Sequence, residues 1–394
     1  MADVAQSTRR VLAAYGLGTA DRIPIGSPIS WSPTGDIDAD RPDGWRGRPE
    51  FVEVARLVQE HCDPTPPFNT VQWPGVFGGV QYWRFLLAPA RFREELPAEQ
   101  FSPSRTRHTT VLHTPKGDLF WSFDKDAGIE TQWDRVKPIQ SPEDVEKMLS
   151  VPYRFDPPDP SEYDELRQHR TAAGRETLGG TGITSMVAML VGMMPYQQML
   201  EWIALEPGLL RMLADAWLDR VREKVAFLLD QGVGPVWHFN GIERACPPMM
   251  GPRQWDELIV PYDGEIMRLI KEHDPEAIIH VHCHGKVGRL LPLFLEMGVD
   301  STDPVEPPPQ GDIEFADARR LVGDRMTLYG NIQFADMEMC EPDDIEAKVR
   351  RAIEDGGKER TVLDVSAPPH EQHTERFTAN AVRYIEAGLK YGAR

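Results

Sequence analysis

The sequence predicts an α/β protein whose parallel sheet closes into a barrel, preceded by an irregular segment that carries a β-hairpin. From about residue 175 onward, short apolar strand-like runs alternate with longer runs whose apolar residues recur every three or four positions. Strands separated by helices are joined by crossovers, which makes them parallel. The number of repeats favours a closed barrel over an open sheet, although the alternation alone is compatible with both. The 394 residues, 41% of them hydrophobic, suffice for one large domain with an extension or for two domains. A barrel of about 250 residues leaves a sizeable remainder.

Before that point the chain is rich in Pro, Gly and Trp, with turn-rich stretches such as Ile23 to Pro28 and Asp43 to Arg46 and a brief helical pattern from Phe51 to His61. Thr109 to His113 and Leu119 to Phe123, separated by Pro115-Lys116-Gly117-Asp118, form a hairpin signal. Ser141, with Asp144 three residues on, opens a helix in the manner of a capping box. Helices are then expected over 186–190, 196–205, 207–231, 255–273, 288–297, 313–321, 342–355 and 374–391. Strands are expected over 235–239, 277–282, 299–302, 326–329 and 361–365. Residues 1–150 are thus assigned to an N-terminal extension and hairpin packed on the barrel, and 151–394 to the main part of the barrel, together one structural domain. The aromatics Trp73, Phe77, Tyr82, Trp83 and Phe85 suit a cap over the barrel, a subunit interface or simple core packing.

Lys plus Arg number 43 against 62 Asp plus Glu, a net charge of −19. This argues against nucleic-acid binding, which needs clustered cations, and against a polyanionic substrate unless the pocket is locally basic. Four cysteines, Cys62, Cys246, Cys283 and Cys340, without a CxxC spacing argue against a disulfide framework. With no signal-peptide pattern and no apolar run near the roughly 20 residues of a membrane span, a cytoplasmic protein without membrane contact is expected.

The densest chemical signal is Ile278-Ile279-His280-Val281-His282-Cys283-His284-Gly285, where an apolar strand ends in three alternating histidines. Alternation places the imidazoles on one face and Cys283 on the other, and Gly285 lets the chain turn. Imidazole serves both as metal ligand and as proton donor near neutral pH. Neighbouring strand ends add His238, Asn240 and Glu243, then Asp303 and Glu306, then Asn331 and Gln333, then Asp364, Ser366, His370 and His373. Polar residues at consecutive strand ends are what a barrel active site needs. His282 and His284 with Glu243 would give a His/His/carboxylate metal set with an open position. Asp303, Glu306, His238, His370 and His373 stand as reserve ligands or supporting partners.

In order and spacing, several motifs resemble the uroporphyrinogen decarboxylase and corrinoid-dependent methyltransferase superfamily. They are Gly180-Thr181-Gly182-Ile183, Leu190-Val191-Gly192, Ile242-Glu243 with Pro247-Pro248, and Val260-Pro261-Tyr262. His282-Cys283-His284-Gly285, Gly298-Val299-Asp300, Leu328 to Ile332 and Thr378-Ala379-Asn380 continue the series. The resemblance runs from about Gly180 to Ala387 and implies a (β/α)8 TIM barrel with its site at the strand C-termini. It also shifts the weight from His280, deeper in the strand, to His282 and His284. In the zinc-dependent methyltransferases of the superfamily a His-x-Cys-Gly motif and a later cysteine bind the metal. Here His284 stands at the first cysteine position, and the later one falls near Ser366 or Ala367. The decarboxylase branch grips its porphyrinogen with an N-terminal arginine-bearing segment, whereas Ile23 to Pro33 has no arginine; Arg22, Arg41, Arg46 and Arg48 only lie nearby.

The leading expectation is an enzyme that demethylates a small methylated substrate and passes the methyl group to a corrinoid protein or a folate-like acceptor such as tetrahydrofolate. His282, His284, Glu243 and Asp303 would be catalytic. His238, Asn240, Glu306, Asn331, Gln333 and His370 would bind substrate, with zinc or another divalent metal on His282, His284 and Glu243. The chain has no Asp-x-His-x-x-Gly corrinoid module, so a corrinoid would arrive on a separate partner. The alternatives are a decarboxylase of a smaller carboxylated compound and a non-catalytic binder of a tetrapyrrole or metabolite. A homodimer is expected.

Overall fold

The strand–helix alternation is realised as a ring of parallel strands in a computed structural model that describes residues 4–29, 49–65, 71–72, 87–127, 132–157, 159–164, 179–367 and 374–394. The ring begins at the segment around Ile25 and continues with β1 (Val71–Gln72). An antiparallel sheet follows, made of β2 (Arg93–Glu95), β3 (Glu99–Ser102), β4 (Arg105–Leu112), β5 (Leu119–Asp126) and β6 (Gln132–Val136). The ring resumes with β7 (Gly179–Thr184), β8 (Val236–Asn240), β9 (Ile278–His282), β10 (Ser301–Asp303), β11 (Thr327–Ile332) and β12 (Thr361–Val365). These strands pair in parallel in the order β1-β7-β8-β9-β10-β11-β12. Ile25 bridges Leu363 of β12 in parallel, so the first segment of the chain lies beside the last strand. Two hydrogen bonds hold that seam, Gly26 N–H to Leu363 O at 2.8 Å and Leu363 N–H to Pro24 O at 3.0 Å. The architecture is the (β/α)8 barrel expected, with two ring segments coming from before residue 150.

The strands are buried on both faces, and for that reason β8 and β9 read as nearly continuous apolar runs. Helices over Pro207–Asp230, Glu265–His273, Pro342–Gly356 and Glu375–Gly392 lay their apolar stripes on the outside of the ring. The expected hairpin is β4–β5, with Leu112 opposite Leu119, and arginine–carboxylate pairs line its sheet, as in Arg105 on Asp126 and Arg107 on Asp124. Asp144 accepts from the backbone N–H groups of Gln140 and Ser141, which completes the start of helix Pro142–Leu149. Helix ends shift by a few residues, as at Met186–Met193 and Leu291–Glu296, and one expected helix is broken. The run 255–273 is two helices, Pro252–Leu258 and Glu265–His273, joined by a π-helical turn Val260–Gly264. Pro261 explains the break, because it lacks an N–H and its ring crowds the preceding turn. The aromatics Trp73, Phe77, Tyr82, Trp83 and Phe85 lie outside the described residues. Among the described residues, no helix is long and apolar enough to cross a membrane.

The N-terminal helix Val4–Ala14 closes the floor of the barrel. Val11, Leu12, Ala14 and Tyr15 pack on Val236, Ile278, Val362 and Tyr329, the first two of which open their strands. Asp63, fully buried, ties this helix to the ring. Its carboxylate accepts from Ser7 Oγ at 2.5 Å, Arg10 Nη1 at 3.3 Å, Arg22 Nη1 at 2.5 Å and the Ile25 backbone at 3.0 Å. Truncating Asp63 would leave the buried Arg22 guanidinium without its counter-charge. Asp63→Ala is therefore expected to lower the unfolding free energy by about 3–5 kcal/mol in urea titrations, and a loss below about 1 kcal/mol would contradict this role.

Candidate active site

Strand register assembles the site. His238 of β8, His280 of β9 and Ser301 of β10 stand side by side, and two residues further on His282 stands beside Asp303. Alternation puts all five side chains on one face of the sheet, the barrel interior. The imidazoles of His238 and His280 lie 5.3 Å apart, centroid to centroid, and those of His238 and His282 6.2 Å. Tyr329 of β11 meets His280 edge-on at 5.0 Å.

Asp303 is the hinge of the arrangement. Its Oδ1 lies 2.7 Å from His280 Nε2 and its Oδ2 3.0 Å from His282 Nδ1, so one carboxylate spans two imidazoles. Burial works against its charge, but His282 and His280, by charge and hydrogen bond, hold the carboxyl well below the usual range. His282 answers in kind. Burial again opposes its charge, yet Asp303 outweighs it, and with Glu243 and Glu306 contributing the imidazole is pushed up to about 9. At neutral pH His282 is an imidazolium whose Nδ1–H is committed to Asp303 and whose Nε2–H has no acceptor among the described residues; its side chain is 30% exposed. His238 behaves oppositely: burial first, then the neighbouring His280, lowers it to about 3 and keeps it neutral.

The remaining expected residues surround this clasp. His284 lies past the end of β9, edge-on to His282 at 4.7 Å, with Nδ1 3.5 Å from Glu306 Oε1. The other Glu306 oxygen accepts from Gly285 N–H at 2.7 Å, and Gly285 turns the chain with φ of 96°, as expected. Glu243 sits in the turn Ile242–Ala245, 3.5 Å from Arg244 Nε, and its Oε2 is buried without a hydrogen-bond partner. Asn240 accepts from Thr184 Oγ1 at 3.3 Å. Asn331 is half-buried beside Asp364, whereas Gln333 is buried just before helix Phe334–Met339. His370 and His373 lie outside the described residues.

The selection made from sequence passed over four residues. His280, set aside in favour of its two neighbours, is the second imidazole of the clasp. Ser301 reaches His280 from the next strand and Tyr15, just past the floor helix, reaches Ser301, and nothing in their local sequence marks them. Asp364, in the apolar run Thr361–Val365, is pushed well above the usual carboxyl range by burial and by Asp303. Only its place at a strand end signalled it.

As to metal, donor atoms of His238, His280 and Asp303 lie within 4.8 Å of one another, a different group from His282, His284 and Glu243. His280 has both nitrogens in hydrogen bonds, to Ser301 and Asp303, and Asp303 has both oxygens engaged. A cation at that point would displace these bonds. A thiolate zinc centre does not fit the residues present. Cys246 and Cys283 are buried, and the Cys283 thiol is pushed up by Cys246 and by burial, the opposite of what a metal thiolate requires.

The clasp has a direct readout. In NMR titrations of histidine-labelled protein, His282 is expected to titrate near pH 9 and markedly lower in Asp303→Asn, since burial is then opposed only by the weaker pull of Glu243 and Glu306. The folded value lies above the unfolded one. The histidine's contribution to stability is therefore full below about pH 6.5 and lost as pH rises through about 9, as long as Asp303 stays ionised. A wild-type His282 titrating at 6.5 would contradict the clasp.

Comparison with known proteins agrees with this geometry. The model of the uroporphyrinogen decarboxylase (URO-D) family matches residues 134–371, more than half of the chain. Uroporphyrinogen decarboxylase of Microcystis aeruginosa (strain NIES-843 / IAM M-2473) is 27% identical over 129 residues, 32% of this chain and 33% of that protein. The enzyme of Erythrobacter litoralis (strain HTCC2594) is 26% identical over 203 residues, 50% of this chain and 56% of that protein. The chain thus spans between a third and a little over half the length of these curated relatives. Among solved structures, a methyltransferase from Methanosarcina mazei superposes with a TM-score of 0.56 at 12% identity, over 98% of this chain and 99% of that one, a likeness of fold. With the family model covering the clasp and most of the ring, the chain belongs to the uroporphyrinogen decarboxylase family.

Proposed function

We propose that this protein takes a methyl group from a small methylated substrate and delivers it to an acceptor, a corrinoid on a separate protein or a folate-like molecule, with His282 as the proton donor. The observation that carries this reading is the His282 imidazolium held by Asp303 through Nδ1, with Nε2 meeting no hydrogen-bond partner among the described residues. An alkoxide, amide or thiolate leaves carbon poorly unless it is protonated. When bound, the acceptor supplies the nucleophile. The electrons of the carbon–heteroatom bond stay on the heteroatom, which takes the Nε2 proton, and His282 ends neutral with Nδ1–H still on Asp303. Asp303 keeps the ring aimed throughout. Solvent restores the proton to Nε2.

A second reading is decarboxylation, favoured by the family and by the activity its curated relatives are named for. The same proton would then go to the carbon that loses carbon dioxide. The site's charge argues against a porphyrinogen bearing many carboxylates: Asp303, Glu243 and Glu306 all act on His282. Residues 23–29, described beside β12, contain no arginine.

Purified protein offered cob(I)alamin and a panel of small O-, N- and S-methyl compounds is expected to yield methylcobalamin, followed by its absorbance. His282→Gln should lower the rate by about 10²–10⁴-fold, the usual worth of a positioned general acid, with little change in KM. Carbon dioxide release without an acceptor would establish the second reading instead. Turnover that survives the substitution would remove His282 from either reaction.

A further inference from the structure

We propose that Tyr15, on the floor of the barrel, is a positioning residue for the candidate site: through Ser301 it holds His280 in the tautomer that donates from Nε2 to Asp303, and thereby fixes how Asp303 aims His282. The functional meaning of this rests on the reading of His282 as proton donor; the arrangement itself rests on hydrogen bonds.

The Tyr15 hydroxyl lies 2.9 Å from Ser301 Oγ and 2.9 Å from the Tyr329 hydroxyl. Ser301 Oγ lies 2.7 Å from His280 Nδ1, and His280 Nε2 lies 2.7 Å from Asp303 Oδ1. Tyr15, Tyr329, Ser301 and His280 are all buried. Chemistry fixes the direction of the chain. An ionised Asp303 only accepts, so His280 Nε2 carries the hydrogen. When the ring carries that one hydrogen, Nδ1 offers a lone pair, and among the described residues the Ser301 hydroxyl is the group placed to fill it. The Ser301 oxygen is left to accept from Tyr15, and the Tyr15 oxygen to accept from Tyr329. Reversing any single hydroxyl sets two lone pairs or two hydrogens against each other. At low dielectric such a mismatch is costly, and each correct link polarises the next.

The hydroxyl of Tyr15 is not needed to fill space. Val11, Leu12 and Ala14 already seat the helix on the strand openings, and Thr327 Oγ1 donates to Ala14 O at 2.7 Å. Phenylalanine would occupy the same volume. What it would remove is the donor that pins Ser301 in the rotamer facing His280. A buried hydroxyl on one side of the barrel thereby reaches the opposite end through a single serine.

The test is Tyr15→Phe, Ser301→Ala and the double variant in histidine-labelled protein without ligand, read by long-range ¹H–¹⁵N spectra. In the wild type, His280 should show an exchange-protected Nε2 proton and an Nδ1 nitrogen displaced by hydrogen bonding. Tyr15→Phe should move Nδ1 toward the position of an unbonded ring nitrogen and broaden or abolish the protected proton. Ser301→Ala should do the same, and the double variant should go no further, because the two residues act in series. Unchanged His280 signals in a folded Tyr15→Phe, or additive displacements in the double variant, would overturn the proposal. If Tyr15→Phe does not fold, Tyr329→Phe withdraws the hydrogen that Tyr15 accepts: a smaller displacement in the same direction supports the chain, and none overturns it. In the cob(I)alamin assay, Tyr15→Phe should lower kcat about tenfold, the rate equivalent of one net hydrogen bond, with KM within about twofold. An unchanged kcat would overturn the positioning role. Absence of methyl transfer in the wild type would defeat the proposed reaction alone, since the spectra decide the role of Tyr15 without turnover.

Discussion

An ionised carboxylate inside the barrel is the constraint from which the rest of the site follows. Removing a carboxylate from water costs several kcal/mol even after relaxation, and only close, well-oriented partners offset it. Asp303 meets that requirement with an imidazole on each oxygen. One of them, His280, is wholly buried and must have its second nitrogen satisfied, which brings in Ser301 and behind it Tyr15. The other, His282, is partly open at the strand end and becomes the charged member. The two histidines are two positions apart on one strand and differ in depth: His280 is wholly buried, His282 partly open at the strand end.

Much of this was legible in the sequence because it is written in local periods. The ring strands announced themselves as short apolar runs, the β4–β5 hairpin by its turn residues, and helix Pro142–Leu149 by Ser141 and Asp144. The histidine run was marked by alternation and by Gly285. What could not be read depends on which strands become neighbours. The partnership of His280 with Ser301 and Asp303 is set by the β9–β10 register, across more than twenty residues of chain. Tyr15 meets Tyr329 and Ser301 across nearly the whole length of the protein. The π-helical turn at Pro261 is a different case: the proline was visible, but an apolar period running on both sides of it outweighed the signal. The choice of His284 over His280 as a leading ligand came from motif position, whereas the geometry around Asp303 is a matter of depth in the barrel.

Family and site carry different weights in the functional argument. Membership in the uroporphyrinogen decarboxylase family and the fold shared with a methyltransferase establish the scaffold, and one scaffold hosts several chemistries. The distinction between them lies in charge. A polycarboxylated substrate needs a cationic mouth, and here the described groups acting on His282 are acidic. Both readings nonetheless ask the same thing of His282, a proton delivered to an atom that gains an electron pair.

In barrels of this kind the floor serves stability and the mouth serves chemistry. The hydrogen-bond chain here crosses that division. Asp63 and the apolar face of helix Val4–Ala14 give the floor its strength, and neither touches the site. Tyr15, at the end of the same helix, adds almost nothing to that packing through its hydroxyl, yet the hydroxyl is the one group on the floor aligned with the site. A helix that served stability alone would be under no physical pressure to place a polar atom there, since a buried hydroxyl is tolerated only when its partners are supplied. Ser301 and Tyr329 supply them, and Ser301 has a further obligation to His280. The floor helix is in this sense the rear wall of the active site as well as the base of the fold.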